Sequence, residues 1–123
     1  MLKYGCLVLV AAAAVCNPAA MASAASPYDG RWSVVIQTDQ GNCDQAYRYG
    51  LSIVNGNVSY AGDVASFDVR GRVANNGAVH VRVSHGATYA DGNGRLSDST
   101  GSGIWHGVGS GTCSGRWFAE RRG

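Results

Sequence analysis

The sequence predicts an all-β domain: a small antiparallel meander of seven or eight strands, closed into a barrel in preference to a two-sheet sandwich. Three observations predict it. Beyond residue 25 the chain holds eleven Val but two Leu, one Glu, no Lys and no Met, so β-branched residues stand where helix formers would be needed. Apolar residues recur there with period two, the pattern of strands with one buried face. Turn signals such as Asn55-Gly56 and Asn75-Asn76-Gly77 punctuate the runs.

Residues 1–25 stand outside this pattern. Lys3 gives a short positive start, Gly5 to Val15 is an apolar run, and Asn17-Pro18 breaks it. Small residues follow at Ala20-Met21-Ala22 and Ala22-Ser23-Ala24. This is the layout of a secretory signal peptide, with cleavage expected after Ala24 or Ala25. The run is shorter than the roughly 20 residues a membrane span needs. Lipidation at Cys16 ranks lower, because Val15 stands where a smaller residue is expected. A chain of 123 residues then leaves one domain, 26–123, expected in the periplasm or outside the cell with no membrane span of its own.

Cys6 and Cys16 depart with the leader, so the domain keeps Cys43 and Cys113. In an oxidising compartment two cysteines read as one disulfide. In an eight-strand meander Cys43 lies near the start of the second strand and Cys113 near the start of the eighth. Both then flank the upper end of the first, so the bridge is compatible with closure of the barrel without requiring it.

The elements follow in order. Trp32, Val34 and Ile36 share one face of the first strand, and Tyr47, Tyr49, Leu51 and Ile53 share one face of the second. Asn55-Gly56 fits a two-residue type I′ turn, which pairs Ile53 with Val58, Leu51 with Tyr60 and Ser52 with Ser59. Phe67, Val69 and Val73 then face Val79, Val81 and Val83. A three-residue loop ending in Gly77 sets Val73 opposite Val79, Arg72 opposite His80 and Arg70 opposite Arg82. Past Gly86 the chain turns Gly- and Ser-rich, yet Leu96, Ile104, Trp105, Trp117 and Phe118 are interleaved with the small residues. Two or three short strands with tight turns fit better than a linker, the last from about Thr112 to Arg121.

No catalytic set assembles from these residues. His80 and His85 are an odd number of positions apart and face opposite sides of a regular strand. With His106 they form no metal-ligand spacing. Ser110 and Ser114 sit in glycine-rich segments read as turns, with no helix to follow. Gly107-Val108-Gly109-Ser110-Gly111 lacks the helix N-terminus that a phosphate loop uses. Asp63, Asp68, Asp91 and Asp98 are scattered and show no glycosidase pairing. The sequence therefore names no catalytic, metal or cofactor-binding residue, implies no cofactor, and makes a hydrolase the least favoured reading. Nine Arg against eight acids in the domain also lack the basic excess of a nucleic-acid binder.

Two binding features remain. Arg70, Arg72, His80 and Arg82 form a candidate surface for an anionic group or a protein partner, with Asp68 expected to compensate Arg82. Trp32, Tyr47, Tyr49, Tyr60 and Trp117 are candidate interior or ligand-lining residues. Small inward residues in the later strands can leave a cavity or make room for the large rings, and a filled interior is the default expectation for a barrel of so few residues.

Several segments carry a resemblance. They are Tyr28-Asp29-Gly30-Arg31-Trp32, Cys43-Asp44-x-Ala46-Tyr47-Arg48-Tyr49, Asn55-Gly56-x-Val58-Ser59-Tyr60, Gly101-Ser102-Gly103-x-Trp105-x-Gly107 and Cys113-Ser114-Gly115-x-Trp117. In this order they resemble a group of small exported proteins of alphaproteobacteria. That resemblance implies export and a single disulfide and supplies no catalytic residues. Gly30-Arg31-Trp32 with Arg121 or Arg122 is similar to the lipocalin-type barrels, which implies an opening Trp packed against a late Arg. Small-barrel bacterial metalloprotease inhibitors share the opening Gly-x-Trp, but their cysteines are placed differently. The expected role is non-catalytic binding of an unidentified small ligand or envelope protein. An inhibitor or envelope factor acting through its rim or arginine face is the alternative.

Overall fold

In a computed structural model, residues 25–62, 67–109 and 111–123 are described. The leader expected over 1–25 therefore lies, save for its last residue, outside the described residues, as do Asp63 and Ser110. The rest is all-β. Eight strands follow one another: β1 (Gly30–Gln40), β2 (Ala46–Val54), β3 (Asn57–Tyr60), β4 (Asp68–Val73), β5 (Ala78–His85), β6 (Thr88–Leu96), β7 (Thr100–Val108) and β8 (Thr112–Arg121). Each pairs antiparallel with the next, and β1 pairs with β8, so the sheet is a closed barrel and no sandwich forms. Closure removes the edges that a meander would expose.

The two hairpins registered from sequence have the expected pairs. Ile53 faces Val58, Leu51 faces Tyr60 and Ser52 faces Ser59. Asn55 and Gly56 take positive φ of 53° and 79°, as a type I′ turn requires. Val73 faces Val79, Arg72 faces His80 and Arg70 faces Arg82, with Gly77 at φ 92° closing the loop.

The glycine-rich half departs from expectation. It forms three strands of nine or ten residues rather than short ones. Asp91-Gly92-Asn93-Gly94 runs through the middle of β6, and Cys113-Ser114-Gly115, read as a turn, is continuous β8 paired with both neighbours. The glycines here serve the core. Trp117 on β8 crosses the inner side of β7 and donates its indole N–H to the Asn93 carbonyl on β6 at 3.2 Å. Trp105 on β7 crosses β8 and donates to the Gln37 carbonyl on β1 at 2.9 Å. Each indole reaches two strands away because the strand it crosses presents glycine. A Cβ on Gly103 would stand 2.6 Å from Trp117 Nε1, and one on Gly115 would stand 2.9 Å from Trp105 Nε1.

The core is the barrel interior, built from Trp32, Val34, Ile53, Val58, Val69, Val73, Val79, Leu96, Trp105, Cys113, Trp117 and Ala119. Of the apolar residues interleaved with the late glycines, Leu96, Trp105 and Trp117 point inward. Ile104 and Phe118 point outward and are 65% and 45% exposed. The lower end, where β1 begins and β8 ends, is plugged by the segment before β1. Of the two late arginines it is Arg121 that lies over the Trp32 ring, 5.2 Å from its centre. It also donates to the carbonyls of Pro27, Asp29 and Asp98. Asp29 accepts from the Asn55 and Gly56 amides at 2.6 and 3.1 Å, which clamps the plug onto the β2–β3 turn.

The upper end carries the bridge. Cys43 and Cys113 form a disulfide with Cα atoms 6.2 Å apart, tying the β1–β2 loop to the start of β8. No helix among the described residues is long and apolar enough to cross a membrane.

Candidate binding cavity and rim

Alternation along every strand aims one face inward, and around eight strands those faces do not meet. The expected filled interior is therefore not what forms. A cavity of about 220 Å³ remains inside the barrel. Its walls run from Ile53 and Leu96 near the lower end to Cys43 and Tyr47 at the upper rim. Tyr47 is 48% exposed, so the cavity reaches the surface at that end. The physical cause is side-chain size: Val81, Val83, Ala90 and Gly92 line part of the wall, and these small side chains leave the middle unfilled.

The lining is almost wholly apolar. All three indole N–H groups are already used, Trp32 donating to the Tyr28 carbonyl at 2.9 Å and the other two as described above. No buried side-chain nitrogen or oxygen lacks a partner among the described residues. The deep cavity thus offers an apolar ligand contact surface and no free donor. An apolar lining of this kind admits apolar guests.

Of the five residues singled out as interior or ligand-lining, Trp32, Tyr47, Tyr49 and Trp117 stand on the cavity wall. Tyr60 packs against the core without lining the cavity. It belongs instead to an aromatic cluster at the upper end. Tyr47 stacks on Tyr49 with ring centres 5.8 Å apart, and Phe67 meets Tyr49 and Tyr60 edge-on at 5.5 Å. Burial is the main cause that pushes the Tyr49 hydroxyl above its ordinary value, with Tyr60 adding to it. Composition missed Trp105, Thr38 and Cys43 as lining residues; the inward parity of Thr38 with Trp32, Val34 and Ile36 was the available signal.

The arginine face is present and outward, yet it is largely compensated. Arg70 pairs with Asp68 at 2.9 Å. Arg82 grips Asp91 with a two-pronged contact at 2.8 Å each and lies over the Tyr89 ring at 4.2 Å. Asp91, and not Asp68, is therefore the partner of Arg82. The hydrogen bond from Arg82 holds the Asp91 carboxyl below the usual carboxylate range. His80 Nε2 stands 3.7 Å from the same carboxylate. Arg72 donates to the Asn57 side-chain oxygen at 2.6 Å and has no carboxylate partner among the described residues. The β5–β6 hairpin sets this pair: its two-residue turn Gly86-Ala87 pairs His85 with Thr88 and so brings Asp91 directly across the ladder from Arg82.

Compared with known proteins, the chain matches no family model, no curated protein and no solved structure. Among the described residues no group of three or more His, Cys, Asp or Glu side chains is arranged to hold a metal ion.

Proposed function

We propose that this chain is an exported, non-catalytic binding module that takes a small apolar ligand inside its barrel. The observation that carries the reading is the apolar cavity reaching the surface beside Tyr47. Its volume sets the guest. A cavity of about 150 Å³ lined by aliphatic and aromatic groups accepts benzene, so about 220 Å³ suits one ring with a short substituent or a chain of a few carbons. Drug-sized ligands, whose pockets are about 300–1,000 Å³, are too large. The plugged lower end and the contact of Trp32 with Arg121 support the likeness to lipocalin-type barrels. The disulfide and the signal-like leader support export to an oxidising compartment. The arginine face argues less for the alternative of a partner surface, since two of its three guanidinium groups are spoken for by carboxylates.

The test is direct. Trp105 and Trp117 line the cavity, so toluene binding is followed by tryptophan fluorescence. A saturable change is expected in the parent protein. It should vanish in Gly92→Leu, whose side chain would project into the cavity; the nearest atom to a Cβ there is Trp117 Nε1 at 3.5 Å, an ordinary contact. A response that never saturates, or one unaltered by Gly92→Leu, rejects the reading.

A further inference from the structure

The upper rim adds a selection rule to the ligand reading on which it rests. The β1–β2 loop places Asp44 beside the cavity mouth. Thr38 Oγ1, on the cavity wall, donates to the Asp44 carbonyl at 2.6 Å. Tyr47, also at the mouth, stands close enough that the Asp44 side chain is the largest cause raising its hydroxyl above the ordinary value. The neighbouring carboxylate at the end of β1, Asp39, is gripped by Arg116 through two contacts of 2.8 and 3.0 Å. Asp44 has no ion-pair partner among the described residues. Of the arginines near this end, Arg116 is committed to Asp39, Arg70 to Asp68, and Arg48 donates to Ser33 Oγ at 2.9 Å. The rings of Tyr47 and Tyr49, both on the cavity wall, stack on each other.

We infer that the cavity selects ligands by the charge of their outer end: an apolar body with a cationic or neutral polar head is accepted, and one with a carboxylate head is rejected. The deep cavity has no free donor, so a head group of any kind must stay at the mouth. There a cation meets a carboxylate that has no ion-pair partner among the described residues, a modest attraction at an exposed site. An anion meets the same carboxylate with the opposite sign.

Binding of four probes of similar body is measured by tryptophan fluorescence and calorimetry at pH 8, above the ordinary histidine range. They are toluene, 2-phenylethanol, 2-phenylethylammonium and phenylacetate. The expected order of affinity is the ammonium first, the alcohol next and phenylacetate last, with the ends of the series about tenfold apart. Asp44→Asn should shrink that ratio several-fold. If toluene binds and phenylacetate binds as tightly as the ammonium, or if Asp44→Asn leaves their ratio intact, the selection rule is wrong and the cavity reading stands. If toluene itself fails to bind, both are wrong.

Discussion

Replacing both bridge cysteines, Cys43→Ala with Cys113→Ala, tests how the barrel is held shut. The bridge spans a sequence separation of 70 residues, and in the chain-entropy account a loop of that size stabilises the fold by about 4 kcal/mol. Cys43 is exposed, so its removal leaves little hole, whereas Cys113 is buried in the core. Ala at 113 adds a small packing loss of about 1 kcal/mol or less. A domain of this size has roughly 5–15 kcal/mol to lose. The variant should therefore still fold, because β1 and β8 keep their ladder from Trp32–Arg121 to Gln40–Ser114, but with a thin margin. Urea unfolding followed by tryptophan fluorescence reads the change. The midpoint should fall by more than 1 M if m is about 1–3 kcal/mol/M, and m itself should rise as the unfolded chain expands. A loss under about 1 kcal/mol would refute the reasoning: the unfolded chain would then not gain the freedom that the loop length implies.

Other outcomes follow from single contacts. Arg121→Ala removes two hydrogen bonds to carbonyls of the lower plug, one to the Asp98 carbonyl of the β6–β7 turn, and the contact with Trp32. It should cost about 2–3 kcal/mol by urea unfolding, with Arg121→Lys restoring only part, since one ammonium cannot reproduce the fork. Gly103→Ala should cost about 1–3 kcal/mol or more and shift tryptophan emission, because the new methyl runs into the Asn93 carbonyl of β6 and into the Trp117 indole bonded to it. Burial pushes the Asp29 carboxyl up, but hydrogen bonds from Ser26, Asn55 and Gly56 outweigh it and hold the group below its ordinary 3.8. A depressed folded value means the stability Asp29 lends is complete above that ordinary value and is lost as pH falls through the folded one. The urea midpoint should therefore drop on going below about pH 4, and drop less in Asp29→Asn.

Much of the fold was legible in the sequence because its causes are local. Period-two alternation fixes which side chains share a face, and Asn55-Gly56 and Gly77 supply the positive φ values that set two registers. The disulfide followed from counting thiols once the leader was set aside. The glycine-rich half was read less well, because composition alone does not tell a turn glycine from one that an indole covers. Gly94, Gly103 and Gly115 lie inside strands for the sake of Trp105 and Trp117, and only the assembled barrel shows which ring lies over which backbone.

By itself, then, the sequence determined an all-β chain, the inward faces of its early strands and the registers of two hairpins, all set by interactions between residues close along the chain. Tertiary structure alone decided that β8 closes on β1 and that Arg121 rather than Arg122 covers Trp32. It also decided that the interior keeps about 220 Å³ unfilled. The reason is geometric: the circumference is fixed by eight strands, and whether their inward side chains fill the middle depends on residues far apart in sequence meeting across it.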